Sequence, residues 1–441
     1  MSFCIGRSAA LRPCGLHRQR LLVASLVCGM ALARPAAAAT TKPEASATLV
    51  HKVTLPDAIR LALQHNPDYR STGYDVKAAE GAVVQASVLP NPGLFVGAMG
   101  TAMPGAPLPD QFGLTWTIPI GGKIAAATDA ARASLASARS TEEADKQALV
   151  VQVQTAFVSL LLAESQRDFA KEDQSGFHQT LELNELRYKD GKIAFGDLLK
   201  LRLQTVATDD EVREAQLAVE NARAELAHVV GEHVIASDFE AVGELSAPVP
   251  PAKATADGLL EQALAHRPDY AALQAQEKSA QASLVLARRT PIPDLAVLGD
   301  YNRPTSGEPT DHGSYDLSLA VSLPVFDRNQ GNITQADAAW EKAQLAEESL
   351  RTQIRSDLAK SLAEWRAASA LVLAYQPGTL DEAKQSLEIT RHAYALGTGS
   401  LLDFLDAESS YRATQSAYRA ALARTALAAD NVRLITGEVQ P

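Results

Sequence analysis

His228 and His233 come closest in this chain to a paired metal-ligand motif, and they stand five residues apart. Two ligands share a helix face at a spacing of four, so this pair does not make a chelate. The cysteines, Cys4, Cys14 and Cys28, all lie in the first 28 residues and form no Cys–His cluster with the rest. No glycine-rich phosphate loop, G-x-S-x-G elbow or HExxH helix is present, and no acid/base constellation is concentrated anywhere. Neither an enzyme, a bound cofactor nor a metal site is expected. Chemistry-bearing residues gather instead around two glycine turns, YKDGKIAFGDLLKL (188–201) and YALGTGSLLDFLDA (394–407). Gly191 and Gly397 suit helix ends that need positive φ. Asp197 and Asp403 open the helices that follow, where a carboxylate complements the helix dipole.

The two turns belong to a repeated unit. Pro67-Asp68-Tyr69 and Pro268-Asp269-Tyr270 lie 201 positions apart, as do Pro90 and Pro291, and Pro92 and Pro293. The offset is 205 for Pro119 and Pro324, and 206 for Tyr188/Tyr394, Gly191/Gly397, Asp197/Asp403 and Gly231-Glu232/Gly437-Glu438. So small a drift over so many anchors marks a tandem duplication. Residues 40–246 form the first repeat, the Pro-rich stretch 247–255 a linker, and 256–441 the second repeat. Each repeat opens with a helix (about 54–88, and 256–289), jogged at its Asn-Pro or Arg-Pro step. A β-hairpin follows (about 92–119, and 294–324), then a long helical hairpin (123–230, and 329–436). His65 and His266 recur at equivalent places, which points to a structural role. The 67 residues 123–189 would extend about 100 Å, more than a compact domain uses. Gln376-Pro377-Gly378 should break the second repeat's long helix.

The hairpin strands alternate strictly. Phe112, Leu114, Trp116 and Ile118 alternate with Gln111, Gly113, Thr115 and Thr117; Tyr315, Leu317, Leu319, Val321 and Leu323 alternate with Asp316, Ser318, Ala320 and Ser322. Strands 294–301 and 93–100 alternate more weakly, with Phe95 and Met99 expected on the inner face. Alternation gives a sheet two unlike faces. A strand of ~10 residues, tilted, spans roughly the 25 Å apolar band of an outer-membrane barrel. Four strands cannot close a barrel, and an open sheet in lipid leaves backbone groups unpaired, so several chains must pool strands. A soluble sandwich is disfavoured because no other strands are expected to supply a second sheet.

Arg7, Arg12, Arg18 and Arg20 precede the apolar run LLVASLVCGMALA (21–33) and then RPAAAATT, and residues 1–39 carry five arginines and no acid in all. That order reads as a secretory signal peptide cleaved near Ala38 or Ala39. The run is too short to span a bilayer, and no other stretch is expected to be a transmembrane helix. Val27 before Cys28 fits poorly the small residue a lipoprotein signal requires. Removing the segment changes the formal charge from −11 to −16, which argues against nucleic acid as a partner.

With these features together, the chain resembles the TolC-type outer-membrane efflux channels over nearly its whole mature length. LPVFDRNQGNI (323–333) is similar to a segment of their cobalt-zinc-cadmium (CzcC-like) branch. The resemblance implies an α+β membrane protein: a homotrimer with a shared 12-stranded β-barrel in outer-membrane lipid on a long-helix periplasmic α-barrel. It further implies an exit duct for heavy-metal cations, served by a periplasmic membrane-fusion adaptor and an inner-membrane RND pump. The helical tips, with Gly191, Asp197, Leu198, Leu199, Gly397, Leu401, Leu402 and Leu405, would form the mouth where the adaptor docks. Asp403 and Asp406 match lumenal carboxylate rings and Tyr394 a gate residue, while the gate arginine falls on Gly399. Pro324 would end strand pairing, and Asp327 or Asn329 would cap the next helix. An outlet for drugs or for type I secretion, and a secreted coiled-coil scaffold, are the competing expectations.

Overall fold

A computed structural model describes residues 50–97, 110–231, 235–246, 256–303, 312–375 and 378–437. The expected leader, the 247–255 linker, Met99, His233, Glu232, Glu438 and the Gln376-Pro377 break lie outside these residues. The described elements run β1 (Val50–Thr54), α1 (Leu55–His65), α2 (Pro67–Ser87), β2 (Gly93–Gly97), β3 (Gln111–Ile118), α3 (Lys123–Lys189), α4 (Phe195–Val230) and β4 (Ile235–Val242). They continue with α5 (Ala256–His266), α6 (Pro268–Arg289), β5 (Leu295–Asn302), β6 (Ser314–Val321), α7 (Gln330–Tyr375), α8 (Thr379–Leu396) and α9 (Leu401–Thr436).

Local chemistry sets the helix boundaries. Thr54 caps α1 by accepting from the Asp57 N–H. At the jog, Asn66 leaves helical angles ahead of Pro67, caps α2 by accepting from the Tyr69 N–H at 2.9 Å, and donates to the Val229 carbonyl at 2.8 Å. One buried side chain thereby ends a helix, starts the next and ties both to α4. His65 then packs against Gly231, at φ +115°, where a Cβ would lie 3.3 Å from the histidine Cβ. The second repeat repeats this joint: a Cβ on Gly437, at φ +73°, would come within 2.8 Å of the His266 Cβ. At both joints it is the backbone and Cβ of the histidine that meet the glycine, while His65 and His266 themselves stay exposed.

Two clusters form the core at these joints. The first joins Val53, Ile59, Val153, Phe157, Leu160, Leu226 and Phe239 from β1, α1, α3, α4 and β4; the second joins Leu260, Ile354, Leu358 and Val432 from α5, α7 and α9. Contrary to expectation, α3 is long and apolar enough by composition to cross a membrane. Its residues Leu149, Val150, Val153, Phe157 and Leu160 are nonetheless buried in the first cluster, the place of a core helix. A second correction concerns strands. β1 and β4 form a parallel two-stranded sheet that sequence reading did not anticipate, with Val53 beside Ala241. The fold therefore has strands beyond the hairpins, and this small sheet packs on α1, α3 and α4.

The hairpins build one antiparallel sheet in the order β2-β3-β5-β6, so the second strand of the first repeat pairs with the first strand of the second. Register places Val96 opposite Phe112, Phe112 opposite Tyr301, and Tyr301 opposite Tyr315; Leu94, Leu114, Gly299 and Leu317 form the next row. One face thus collects Leu94, Val96, Phe112, Leu114, Trp116, Ile118, Leu295, Val297, Tyr301, Tyr315, Leu317, Leu319 and Val321. The other collects Phe95, Gln111, Gly113, Thr115, Asp300, Asn302, Ser314, Asp316 and Ser318. Leu323 is a correction: β6 stops at Val321, and Leu323 lies beyond the paired register. Asp327 accepts from the Asn329 N–H, and Asn329 itself, at φ +60°, sends its amide to the Ala287 carbonyl of α6. These side chains shape the β6–α7 turn; the capping expected of them on α7 amides is replaced by a tie to α6.

Candidate functional site

Three places in the fold carry the residues of interest: the two helical tips, the charged packing just behind them, and the two-faced sheet. At the first tip, Gly191 turns at φ +69° and Lys192 N–H closes on the Arg187 carbonyl at 2.8 Å. At the second, Gly397 turns at φ +76° and Thr398 N–H closes on the Ala393 carbonyl at 3.0 Å. These are left-handed helix ends. Ser400 caps α9 by accepting from the Asp403 N–H at 3.1 Å, and Asp403 lies in the first turn. Asp197 holds the same place in α4, whose cap position is Ala194, with no side-chain acceptor.

The tips are fastened to each other. The Tyr394 hydroxyl donates to Oδ1 of Asn184 at 2.7 Å, and its ring stacks on Phe404 with centroids 5.7 Å apart. Arg187 lies over the Tyr394 ring and donates to the Tyr394 and Ala395 carbonyls. Burial raises the Tyr394 phenol's pKa; Arg187 opposes this and Asp197 adds to it. Gly399, where the resemblance places an arginine, packs against the last turn of α8, and a Cβ there would sit 3.0 Å from Ala393 Cβ. The end of α3 therefore straps the end of α8 through Asn184 and Arg187.

The leucines of the tips divide. Leu198 and Leu401 are buried, Leu405 is half-buried against the cluster of Leu201, Leu387 and Phe404, and Leu199 and Leu402 are exposed. Leu198 and Leu401 are thus corrected from docking surface to tip packing, because they are 2 and 5% exposed and Leu401 packs with Leu201, Leu387 and Phe404. Asp403 and Asp406, three apart on α9, are both exposed.

Behind the tip, Asp173 of α3 and Glu408 of α9 are both buried. Arg412 reaches Asp173 at 3.4 Å and Glu211 of α4 at 2.8 Å, while Arg391 of α8 reaches Glu408 at 3.4 Å. Burial pushes the Asp173 carboxyl up to about 7, helped by the hydrogen bond and charge of Glu408 and opposed by Arg412. A cavity of about 290 Å³ adjoins the pair, lined in part by Phe169, Phe177 and Tyr411. Sequence reading singled out none of Asn184, Arg187, Asp173, Glu408 and Arg412. A signal existed for Glu408: it follows Leu401 and Phe404 at helical spacing, an acid on an apolar stripe. No group of three or more His, Cys, Asp or Glu that could hold a metal is found among the described residues.

The sheet is open at both edges among the described residues, and its apolar face is bare: Leu94, Leu317 and Tyr315 are 74, 77 and 86% exposed. A row of large apolar side chains facing solvent on an unclosed sheet marks an unfinished surface.

The family model described as "Outer membrane efflux protein" matches residues 58–232 and 259–438, one segment in each repeat. The chain belongs to the outer membrane efflux protein family. Among curated relatives, this efflux protein is 27% identical to the cobalt-zinc-cadmium resistance protein CzcC of Cupriavidus metallidurans, over 87% of this chain and 90% of that one. It is 26% identical to the probable outer membrane lipoprotein SilC of Salmonella typhimurium, over 68% of this chain and 66% of that one. The solved structure of CusC superposes with a TM-score of 0.72 at 19% identity, covering 87% of this chain and 92% of that one. VceC of Vibrio cholerae superposes at 0.71 and 21% identity, covering 87% and 96%. The fold of this efflux protein is thus that of the TolC-type channels, a four-stranded sheet on paired long helical hairpins.

Proposed function

We propose that this efflux protein is the outer-membrane exit duct of a tripartite export system for heavy-metal cations. It works as a homotrimer whose three sheets close a 12-stranded barrel in outer-membrane lipid, above a periplasmic tunnel of long helices. A periplasmic membrane-fusion adaptor meets the tips through Leu199, Leu402 and the turns at Gly191 and Gly397, and an inner-membrane RND pump supplies the cargo. Residues 1–39 are the export signal. Tyr394 belongs to the closure of the mouth, and Asp403 and Asp406 give the throat negative potential that favours cations.

The observation that carries the metal assignment is the similarity to CzcC, which runs through both repeats over nearly the full length of each chain. The two-faced sheet, with β2 and β6 as its edges among the described residues, supports shared closure. A passive duct gains nothing from tight ligands, since strong binding slows release. The second reading, an outlet for other cargo, is favoured by similarity to the alkaline protease secretion protein AprF of Pseudomonas aeruginosa, 24% identical over 60% of this chain. The two separate on deletion of the gene, followed by growth on graded zinc, cobalt, cadmium, nickel, copper and silver beside dyes and detergents. Metal hypersensitivity is expected; sensitivity to dyes or detergents alone, or loss of a secreted protein alone, refutes the metal assignment.

A further inference from the structure

Inside this chain, the β3–α3 junction is packed against the turn between α6 and β5. Gly121 lies so close to Ile292 that a Cβ there would come within 2.6 Å of the isoleucine side chain. Arg289 donates to the Gly122 carbonyl at 3.1 Å, and Lys123 bonds Asp294 at 2.7 Å. This joint fixes how the first repeat's hairpin meets the second's.

The repeat offset carries both halves of the joint to new places. Pro119, Ile120, Gly121 and Lys123 fall on Pro324, Val325, Phe326 and Arg328, after β6. Pro291, Ile292 and Pro293 fall on Pro90, Asn91 and Pro92, before β2. Within one chain these halves belong to opposite edges of the sheet, β6 and β2. Among the described residues both halves are left uncovered: Phe326 is 92% exposed and Val325 57%, while Val88 and Leu89 are each 51% exposed. The sizes also exchange. Glycine faces isoleucine in the internal joint; phenylalanine would face asparagine between the uncovered halves.

We propose that Phe326 and Val325 of one copy seat on the Val88–Pro92 turn of the next, making between chains the joint that Gly121 and Ile292 make within one. The occupant is a second copy of this chain, because only it carries the complementary half at the repeat offset. Phe326 fills the volume that Asn91 leaves where Ile292 stands in the internal joint, and the apolar contact buries side chains that otherwise face water. This inference rests on the shared-sheet reading above and adds the contact that sets the angle between chains.

The test places F326C and N91C in one full-length chain whose Cys4, Cys14 and Cys28 are changed to serine. A short bifunctional thiol reagent is applied to outer membranes, and light scattering in detergent reports the oligomer in parallel. Covalent dimers and trimers are expected from this pair, and none from F326C with L373C, which sits on exposed helix surface. An intact oligomer with no cross-link from F326C and N91C overturns the contact while sparing the shared sheet. A monomer by light scattering overturns both. F326A is expected to lower the temperature at which detergent separates the chains while L373A leaves it in place; equal temperatures for F326A and the parent refute the anchoring role.

Discussion

Asp173 offers a quantitative test of the packing behind the tips. Its carboxyl is buried on α3 against Glu408 of α9, and burial with that neighbour raises it from the ordinary 3.8 to about 7. In the unfolded chain the same group releases its proton near its ordinary value. Between about pH 4 and pH 7 folding therefore takes up a proton, so this contribution is fully present below pH 4 and is lost as pH rises to 7. A rise of about three units corresponds to ~4 kcal/mol at neutral pH and above. The variant D173N carries a neutral side chain at every pH, and Arg412 keeps its 2.8 Å contact with Glu211. Detergent-purified parent and D173N would be unfolded in denaturant at intervals from pH 4.5 to 8.5. The stability of D173N relative to the parent should climb across pH 4–7, by up to ~4 kcal/mol, and then level off. Parallel stability curves for the two proteins would refute the buried-pair assignment, because a residue titrating normally adds no slope in that window.

Further expectations follow from single contacts. Y394F removes the donor to the fully buried Asn184 and should cost about 1–3 kcal/mol in unfolding while raising the conductance of channels in planar bilayers; no change in either measurement would contradict the strap. G437A puts a Cβ at positive φ against His266 and should destabilise by at least ~1 kcal/mol, whereas G176A, inside α3 with open space around it, should stabilise by up to ~1 kcal/mol in the same denaturation assay. D403N with D406N should lower the cation-to-anion permeability ratio in bilayers; an unchanged reversal potential would remove both residues from the throat.

Long elements were legible because pattern and punctuation agree in them. Gly122 and the Asp190-Gly191 turn bracket α3, and the Asn-Pro and Arg-Pro steps jog the opening helices through a steric rule that needs no tertiary context. The strand faces were legible from period two alone, and register then aligned Phe112, Tyr301 and Tyr315 on one side. β1 and β4 escaped notice because five residues of Val50–Thr54 show little alternation, and β4 is set by Phe239 reaching the α3 core. The tips were legible as turns but not as surfaces. Leu198 and Leu199 are neighbours of one type, and only the helix's rotation buries the first and exposes the second. Buried charges were least legible, since Asp173 and Glu408 are 235 residues apart and only the fold supplies the burial, and then the Glu408 contact, that raise Asp173.

The duplication explains why that pair can exist. In the first repeat Glu185 of α3 bonds Arg202 of α4 at 2.8 Å; 206 positions on, Arg391 of α8 bonds Glu408 of α9 at 3.4 Å. Each hairpin is tied at the same rung, but the polarity is exchanged. With the first repeat's polarity, α9 would present a cation beside Arg412, and Asp173 would face two positive charges without the hydrogen bond of Glu408. Exchange puts a carboxylate there instead, and Arg412 can then sit between Asp173 of α3 and Glu211 of α4. An attraction within each hairpin is indifferent to which partner carries which sign. Contact between hairpins is not, so reversing one rung leaves both hairpins intact while deciding how the two halves of the molecule interlock.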